Sequence, residues 1–241
     1  MEKLGRDHGI DYLFFIDNVF NYPINHAVSI CREMIDHRIK IQWTGFFNPA
    51  FMTKELVSLL KESGCSGVEF GTEAVCDRML RNLGKNFSVN TLIQSHKLCA
   101  EAGLKTCHYL LLGGPGDTIE TAEETLQVMR ELNPTAVIVA TGIRIYPGIP
   151  LEKTAIEEGY NLTNLLMPQF YISRELGENV EATIQNLAKK YPEFIFEGVH
   201  KKTSKEILKM MRRMGFKGPS WEFAPVMNRL LKRQEQDGQK T

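Results

Sequence analysis

The sequence predicts an α/β fold built on a parallel sheet, and three observations carry that expectation. Five short apolar runs are each bounded by turn residues, a helical pattern follows each run, and the polar and glycine-rich residues gather where runs end and loops begin. Strand then helix, repeated five times, implies parallel strands joined by right-handed crossovers. Strands covered by helices read as continuous apolar runs, as these do. An open doubly wound sheet and a barrel both satisfy the pattern. No GxGxxG follows the first run, which speaks against the dinucleotide-binding version. In a βα barrel the chemistry sits at the ends of strands, and Asp17, Asn18, Asn48, Glu73, the Gly-Gly-Pro-Gly-Asp loop, Arg144 and Tyr146 all fall there. Five strands are too few to close a barrel.

The runs are 11–17 (DYLFFID), 40–47 (KIQWTGFF), 66–73 (SGVEFGTE), 104–113 (LKTCHYLLLG) and 135–147 (TAVIVATGIRIYP). After the first, residues 24–37 place Ala27, Ile30, Met34 and His37 at helical spacing. Thr53 caps a helix over 54–62, and Ser88 caps one over 89–102 that Gly103 ends. Asp117 with Glu120 resembles a capping box for a helix over 118–131, with acid in its first turns as the helix dipole prefers. Beyond 147 come a Pro/Gly loop, a short helix (EKTAIEEG), an irregular LLMPQFYIS and an acidic helix near 177–190. A last helix over 203–214 starts with a Thr203–Glu206 capping box. Ile207, Met210, Met211 and Met214 share one of its faces, and Lys205, Lys209, Arg212 and Arg213 the other. The expected division is a barrel-like unit over 1–150 and a mostly helical extension, basic at its end, over 151–241.

Composition sets bounds. A chain of 241 residues buries one sizeable core. No apolar run nears the roughly 20 residues that span a bilayer, and no signal peptide opens the sequence, so a cytoplasmic protein without membrane contact is expected. Formal charge balances at 29 basic and 29 acidic residues, but residues 199–241 hold 11 Lys and Arg against 4 Asp and Glu. That basic segment reads as a solvated helix face. No aromatic residues interleave it for base stacking, so a nucleic-acid partner is not expected. The five cysteines (Cys31, Cys65, Cys76, Cys99, Cys107) include no CxxC or CxxxCxxC, so no metal site is expected and the thiols read as free and buried.

Several residues are candidates for chemistry. Three glycines and a proline over Gly113–Gly116 let backbone approach a ligand, and equally suit a tight βα turn with an Asp117 cap. Glu69 and Glu73 share strand parity; a carboxylate in an apolar strand needs a partner or a polar lumen. Alternation turns Gly142, Arg144 and Tyr146 toward the lumen and Ile143 and Ile145 toward the helices. Arg144 then serves a ligand carboxylate or pairs with Glu69 or Glu73. Asp17 and Asn18 suit an amine or an Asx turn. His108 reads first as a satisfied core histidine.

Taken in order, FFIDNVFN, GVEFGTE, HYLLLGGPGDT and GIRIYPGIPL resemble the later strands of the radical S-adenosylmethionine (SAM) superfamily, nearest the subgroup with an upstream cobalamin-binding domain. The resemblance implies a partial (β/α)6 barrel missing its first strand, with a C-terminal helical extension. It implies SAM as ligand, and a [4Fe–4S] cluster and, where that domain is present, cobalamin in a longer parent. There SAM is reduced to a 5′-deoxyadenosyl radical or its methyl group is transferred. Carried over by motif, Asp17 and Asn18 meet the SAM amino group and Glu73 its ribose or methionine polar groups. Leu111, Gly113, Gly114, Pro115 and the following Asp117 flank the adenine, and Arg144 and Tyr146 lie near adenine or substrate. Glu69 and His108 stand second to these. Ile149 replaces the Thr usual in YPGTPL. No cluster-binding cysteine triplet is present, so no catalytic residue is assigned, and the missing part is expected from an N-terminal segment or a partner chain. Two other readings stay open: a non-catalytic subunit that completes a partner's barrel, and a βα enzyme of another class using Glu73, Asp117 and Arg144.

Overall fold

The computed structural model describes residues 1–162, 167–199, 204–224 and 226. Its strands are β1 (Tyr12–Phe15), β2 (Gln42–Phe47), β3 (Cys65–Glu73), β4 (Lys105–Leu112), β5 (Ala136–Thr141), β6 (Ile143–Arg144), β7 (Phe170–Tyr171) and β8 (Ile195–Phe196). Its helices are α1 (Glu2–His8), α2 (Ile24–Asp36), α3 (Lys54–Glu62), α4 (Asp77–Asn82), α5 (Val89–Glu101), α6 (Ile119–Leu132), α7 (Pro150–Glu157), α8 (Val180–Lys190) and α9 (Ser204–Arg213). Strands β1 to β5 lie side by side in sequence order, all parallel, and β8 adds to β5 as a sixth. An order that never reverses means that every crossover advances the same way, so the helices cover one face and the other face lines a lumen. A doubly wound sheet would reverse direction at its middle. This is a partial βα barrel.

Strand parity sorts the side chains. Trp43, Phe47, Val68, Phe70, Leu110, Leu112, Val137 and Val139 face the helices and form the two large cores with α2, α3, α5, α6 and α8. Thr44, Phe46, Glu69, Tyr109 and Ile138 face the lumen. Thr53 and Ser88 cap α3 and α5 through Leu56 N and Thr91 N, and Gly103 ends α5 at φ +69°, as expected from the sequence.

Among the described residues beyond 150, the chain returns to the sheet as β8 and again as a 3-10 turn over Ser220–Phe223 that closes the N-terminal end of the lumen. Trp221 packs there against Cys107, Ala136, Tyr109 and Ile138. Gly67 makes room for it: a Cβ at that position would stand 2.7 Å from Trp221 Cη2. Glu222 accepts hydrogen bonds from Tyr12 Oη at 3.1 Å and Ser66 Oγ at 3.0 Å, and pairs with Lys105.

Four expectations are corrected. The run 135–147 is not one strand: Gly142 sits at φ +82°, β5 stops at Thr141, and Ile143–Arg144 leaves the sheet to pair antiparallel with β7. The cap of α6 is Thr118 with a capping box to Thr121, not Asp117 with Glu120. His37 is the exposed C-cap of α2 rather than a core residue. On α9 Met211 is buried, but Met214 is 61% exposed past the helix end. The Thr203 cap and the side chains of Lys205, Glu206 and Ile207 lie outside the described residues. All five cysteines are free and buried. Among the described residues no helix is long and apolar enough to cross a membrane.

Candidate functional site

The C-terminal ends of β1 to β5 form the open mouth of the lumen. At its centre Glu73 ends β3, three residues before the N-cap of α4. The register jumps there: Gly71 pairs with Tyr109 and Glu73 with Leu110, leaving Thr72 as an extra residue. Such a bulge re-aims the side chain that follows it. Glu73 takes φ +64°, uncommon for a residue with a Cβ. Its Oε1 accepts a hydrogen bond from Lys85 Nζ at 2.8 Å, and the same ammonium donates to Gly71 O at 3.0 Å. Among the described residues Glu73 Oε2 has no partner. Lys85, in the loop between α4 and α5, was not singled out by the sequence. Its only local signal is a cation inside the turn LGKNFS.

The glycine-rich loop lies beside this carboxylate. Gly113 and Gly116 have φ +88° and +74°, and a Cβ on Gly113 would stand 2.9 Å from Ile172 Cγ2. Gly114 is confined by Leu83, Ile143 and Met79. The glycines are therefore required by packing against the protein itself. Asp117, 3% exposed, accepts from Gly113 N at 2.7 Å and Thr121 Oγ1 at 2.5 Å. It ties the loop to α6 and is shut away from the mouth. Burial pushes its carboxyl up, and these hydrogen bonds oppose that. Asn82 Nδ2 donates to Pro115 O at 2.8 Å and fixes the loop from α4. Leu111 is half-buried on the lumen face.

Arg144 and Tyr146 are exposed and stack on each other, the guanidinium carbon 4.8 Å from the ring centroid. Arg144 pairs with neither Glu69 nor Glu73, because the break at Gly142 carries it away from the strand they face. Asp17 and Asn18 follow β1, both exposed. In the lumen Glu69 is 2% exposed and accepts from Tyr109 Oη at 2.7 Å. Burial raises its carboxyl above the ordinary range, opposed by the hydrogen bonds from Tyr109 and Thr44. Phe14, Phe46 and Tyr109 run across the lumen wall edge to face, with centroids 5.3 Å and 5.8 Å apart. His108 faces the other way, into the helix layer, hydrogen-bonded to Thr72 and His96. The structure thus brings Glu73, Leu111 and the glycine loop together at one mouth. It separates from them His108, which lies behind the sheet, and Asp117.

The cysteines do not fit an iron–sulfur cluster. They are buried, burial pushes the Cys31, Cys65, Cys99 and Cys107 thiols up and away from the thiolate a cluster needs, and among the described residues no group of three His, Cys, Asp or Glu side chains could hold a metal ion.

Comparison with known proteins agrees with this geometry. The family model of the radical SAM superfamily matches residues 1–129. The chain belongs to the radical SAM superfamily. It is 27% identical over 162 residues to the uncharacterized methyltransferase PH0819 of Pyrococcus horikoshii, covering 66% of this chain and 35% of that protein. It is 28% identical over 165 residues to the tryptophan 2-C-methyltransferase of Streptomyces laurentii, covering 62% and 27%. The chain thus spans about a third of the length of these curated relatives. Among solved structures it superposes on the radical SAM methyltransferase TsrM of Kitasatospora setae, solved with cobalamin and a [4Fe–4S] cluster bound, with a TM-score of 0.81 at 17% identity, over 98% of this chain and 55% of that one. At that identity the likeness is one of fold.

Proposed function

We propose that this chain is the SAM-binding part of a radical SAM enzyme of the methyltransferase type, and that the open mouth holds SAM. The observation that carries the reading is Glu73: a half-buried carboxylate at the mouth, held by Lys85 through one oxygen and leaving the other for a ligand. That free oxygen suits a ribose hydroxyl or an ammonium group. The main chain over Leu111–Pro115 lies beside the adenine, and the Arg144–Tyr146 stack offers a planar cationic surface at the rim. Asp17 and Asn18 stand at the end of β1, where the SAM amino group is received. Bound SAM supplies the group that is transferred or cleaved. The chain's residues bind and orient it, and Leu111 with the aromatic wall restricts water on one side.

The cluster is supplied from outside this chain, by a CxxxCxxC loop on a preceding segment, and a cobalamin domain belongs to the same longer parent. On this reading the chain alone does not turn over. A second reading, in which another chain completes the barrel, is favoured by β1 being an end strand of the sheet, with Ile16 just past it 84% exposed.

Equilibrium dialysis with labelled SAM tests the site. Saturable binding is expected, weakened about tenfold by Glu73→Gln without loss of thermal stability. Absent binding, or binding that ignores Glu73→Gln, contradicts the assignment. Anaerobic reconstitution should leave far fewer irons per chain than a [4Fe–4S] cluster holds; a full complement overturns the claim that the cluster comes from elsewhere.

A further inference from the structure

Behind the mouth, on the helix-facing side of the sheet, lies a buried polar chain to which SAM binding gives no role. Thr72 Oγ1 is 2.8 Å from His108 Nδ1, His108 Nε2 is 3.1 Å from His96 Nδ1, and His96 Nε2 is 3.1 Å from the carbonyl oxygen of Leu132 at the end of α6. Thr106 Oγ1 adds a contact to His96 Nδ1 at 3.3 Å. All four side chains are buried. The protons can be placed from one end. A carbonyl only accepts, so His96 Nε2 carries a hydrogen. Neutral His96 then accepts at Nδ1, His108 Nε2 donates to it, and His108 Nδ1 accepts from the Thr72 hydroxyl. Burial opposes a charge on either ring, and the neighbouring ring adds to this at His108.

Apolar side chains would fill this space at no desolvation cost, as Val68, Phe70 and Leu110 do on the same face. The polar chain ends instead on the bulge. Thr72 is the extra residue there, and the next one is Glu73 in the left-handed region. Such a conformation persists only where the surroundings over-determine it. From the front Lys85 grips Gly71 O and Glu73 Oε1. From the back, among the described residues, the side chain of the bulge residue makes one hydrogen bond, from Thr72 to His108.

We infer that the Thr72–His108–His96 chain is a positioning device for Glu73, anchoring the bulge from behind so that the free carboxylate oxygen stays turned into the mouth. The functional consequence rests on Glu73 as a SAM ligand, whereas the anchoring is a property of the chain itself.

The test is Thr72→Val, which keeps the branched shape and removes the donor. It is run beside His108→Gln, whose amide retains an acceptor and a donor, and Leu126→Ala, a core truncation elsewhere in α6. Three readouts are needed: histidine ring nitrogen shifts, the Glu73 Cα shift that reports its left-handed backbone, and SAM affinity by dialysis. In the wild type both rings should be Nε2–H tautomers. Thr72→Val should move the Glu73 Cα shift toward values of ordinary extended backbone and weaken SAM about tenfold. His108→Gln should stay closer to wild type in both, and Leu126→Ala should lower Tm while moving neither. An Nδ1–H tautomer at His108, or a Glu73 shift that Thr72→Val leaves unchanged, overturns the inference. If the wild type binds no SAM while Thr72→Val still moves Glu73, the anchoring stands and the SAM reading falls. If SAM binds and Thr72→Val changes nothing, the anchoring falls and the SAM reading stands.

Discussion

At the floor of the lumen Glu222 takes three protein partners, Tyr12, Ser66 and Lys105, beneath the packed ring of Trp221. At the mouth Glu73 takes one, Lys85, and Arg144 is stacked on Tyr146 with no carboxylate partner among the described residues. Both ends pair a glutamate with a lysine, Glu222 with Lys105 at the floor and Glu73 with Lys85 at the mouth. The floor spends its carboxylate on protein donors and is sealed by packing, with the buried Trp221 Nε1 left without a hydrogen-bond partner among the described residues. The mouth is held in shape from behind, by the glycine loop and the Thr72 bulge, and leaves polar atoms facing out. A binding site is read here from where hydrogen-bonding capacity is both left over and open to the mouth, since the charges alone do not distinguish the ends.

The contrast can be broken most severely at the glycine loop. Gly113→Val places a branched side chain at φ +88° against Ile172 and should cost about 3–5 kcal/mol, read as a collapse of Tm or loss of soluble protein. Next comes the floor: Glu222→Ala removes the carboxylate shared by Tyr12, Ser66 and Lys105, leaving the two hydroxyls to bond each other, and should cost about 1–3 kcal/mol in denaturant unfolding. SAM binding at the other end should be unchanged.

Acid separates the two sides of the sheet by sign. His96 and His108 resist protonation in the folded state, whereas the unfolded rings take up protons below about pH 6.5. Their neutral burial is therefore free of cost above that pH, and stability falls as pH drops below it. Glu69 and Asp117, held above the ordinary carboxyl range, act oppositely: the penalty for ionising them is relieved as pH falls toward the ordinary carboxyl range. Tm should be level above pH 6.5 and begin to decline just below it, and His108→Gln should flatten that decline. The smallest effect is expected at the rim, where Arg144→Ala should change stability by less than about 1 kcal/mol, since an exposed cation–π stack contributes little.

What the sequence disclosed and what it hid follow from range. Strands β1 to β4 and the caps Thr53 and Ser88 rest on neighbours a few residues apart, and they were legible. Gly142 was not, because the alternation of GIRIYP continues past a residue whose φ decides the strand's end. The two-residue strand Ile195–Phe196 carries no period at all. Glu73 and the glycine loop were legible from motif, but Lys85 is paired through the fold, and the bulge that aims Glu73 appears only in the β3–β4 register. His108 was read as a satisfied core histidine, and it shares parity with Leu110 and Leu112 on the helix side. Its partner His96, on another element, could not be read that way.

The most direct measurement is a backbone amide spectrum of the chain titrated with SAM. The account predicts saturable shifts at Glu73, Leu111, Gly113 and Gly114, and none at the Trp221 indole or the Glu222 amide on the floor. Shifts confined to the floor, or no saturable shift at the mouth, would contradict it.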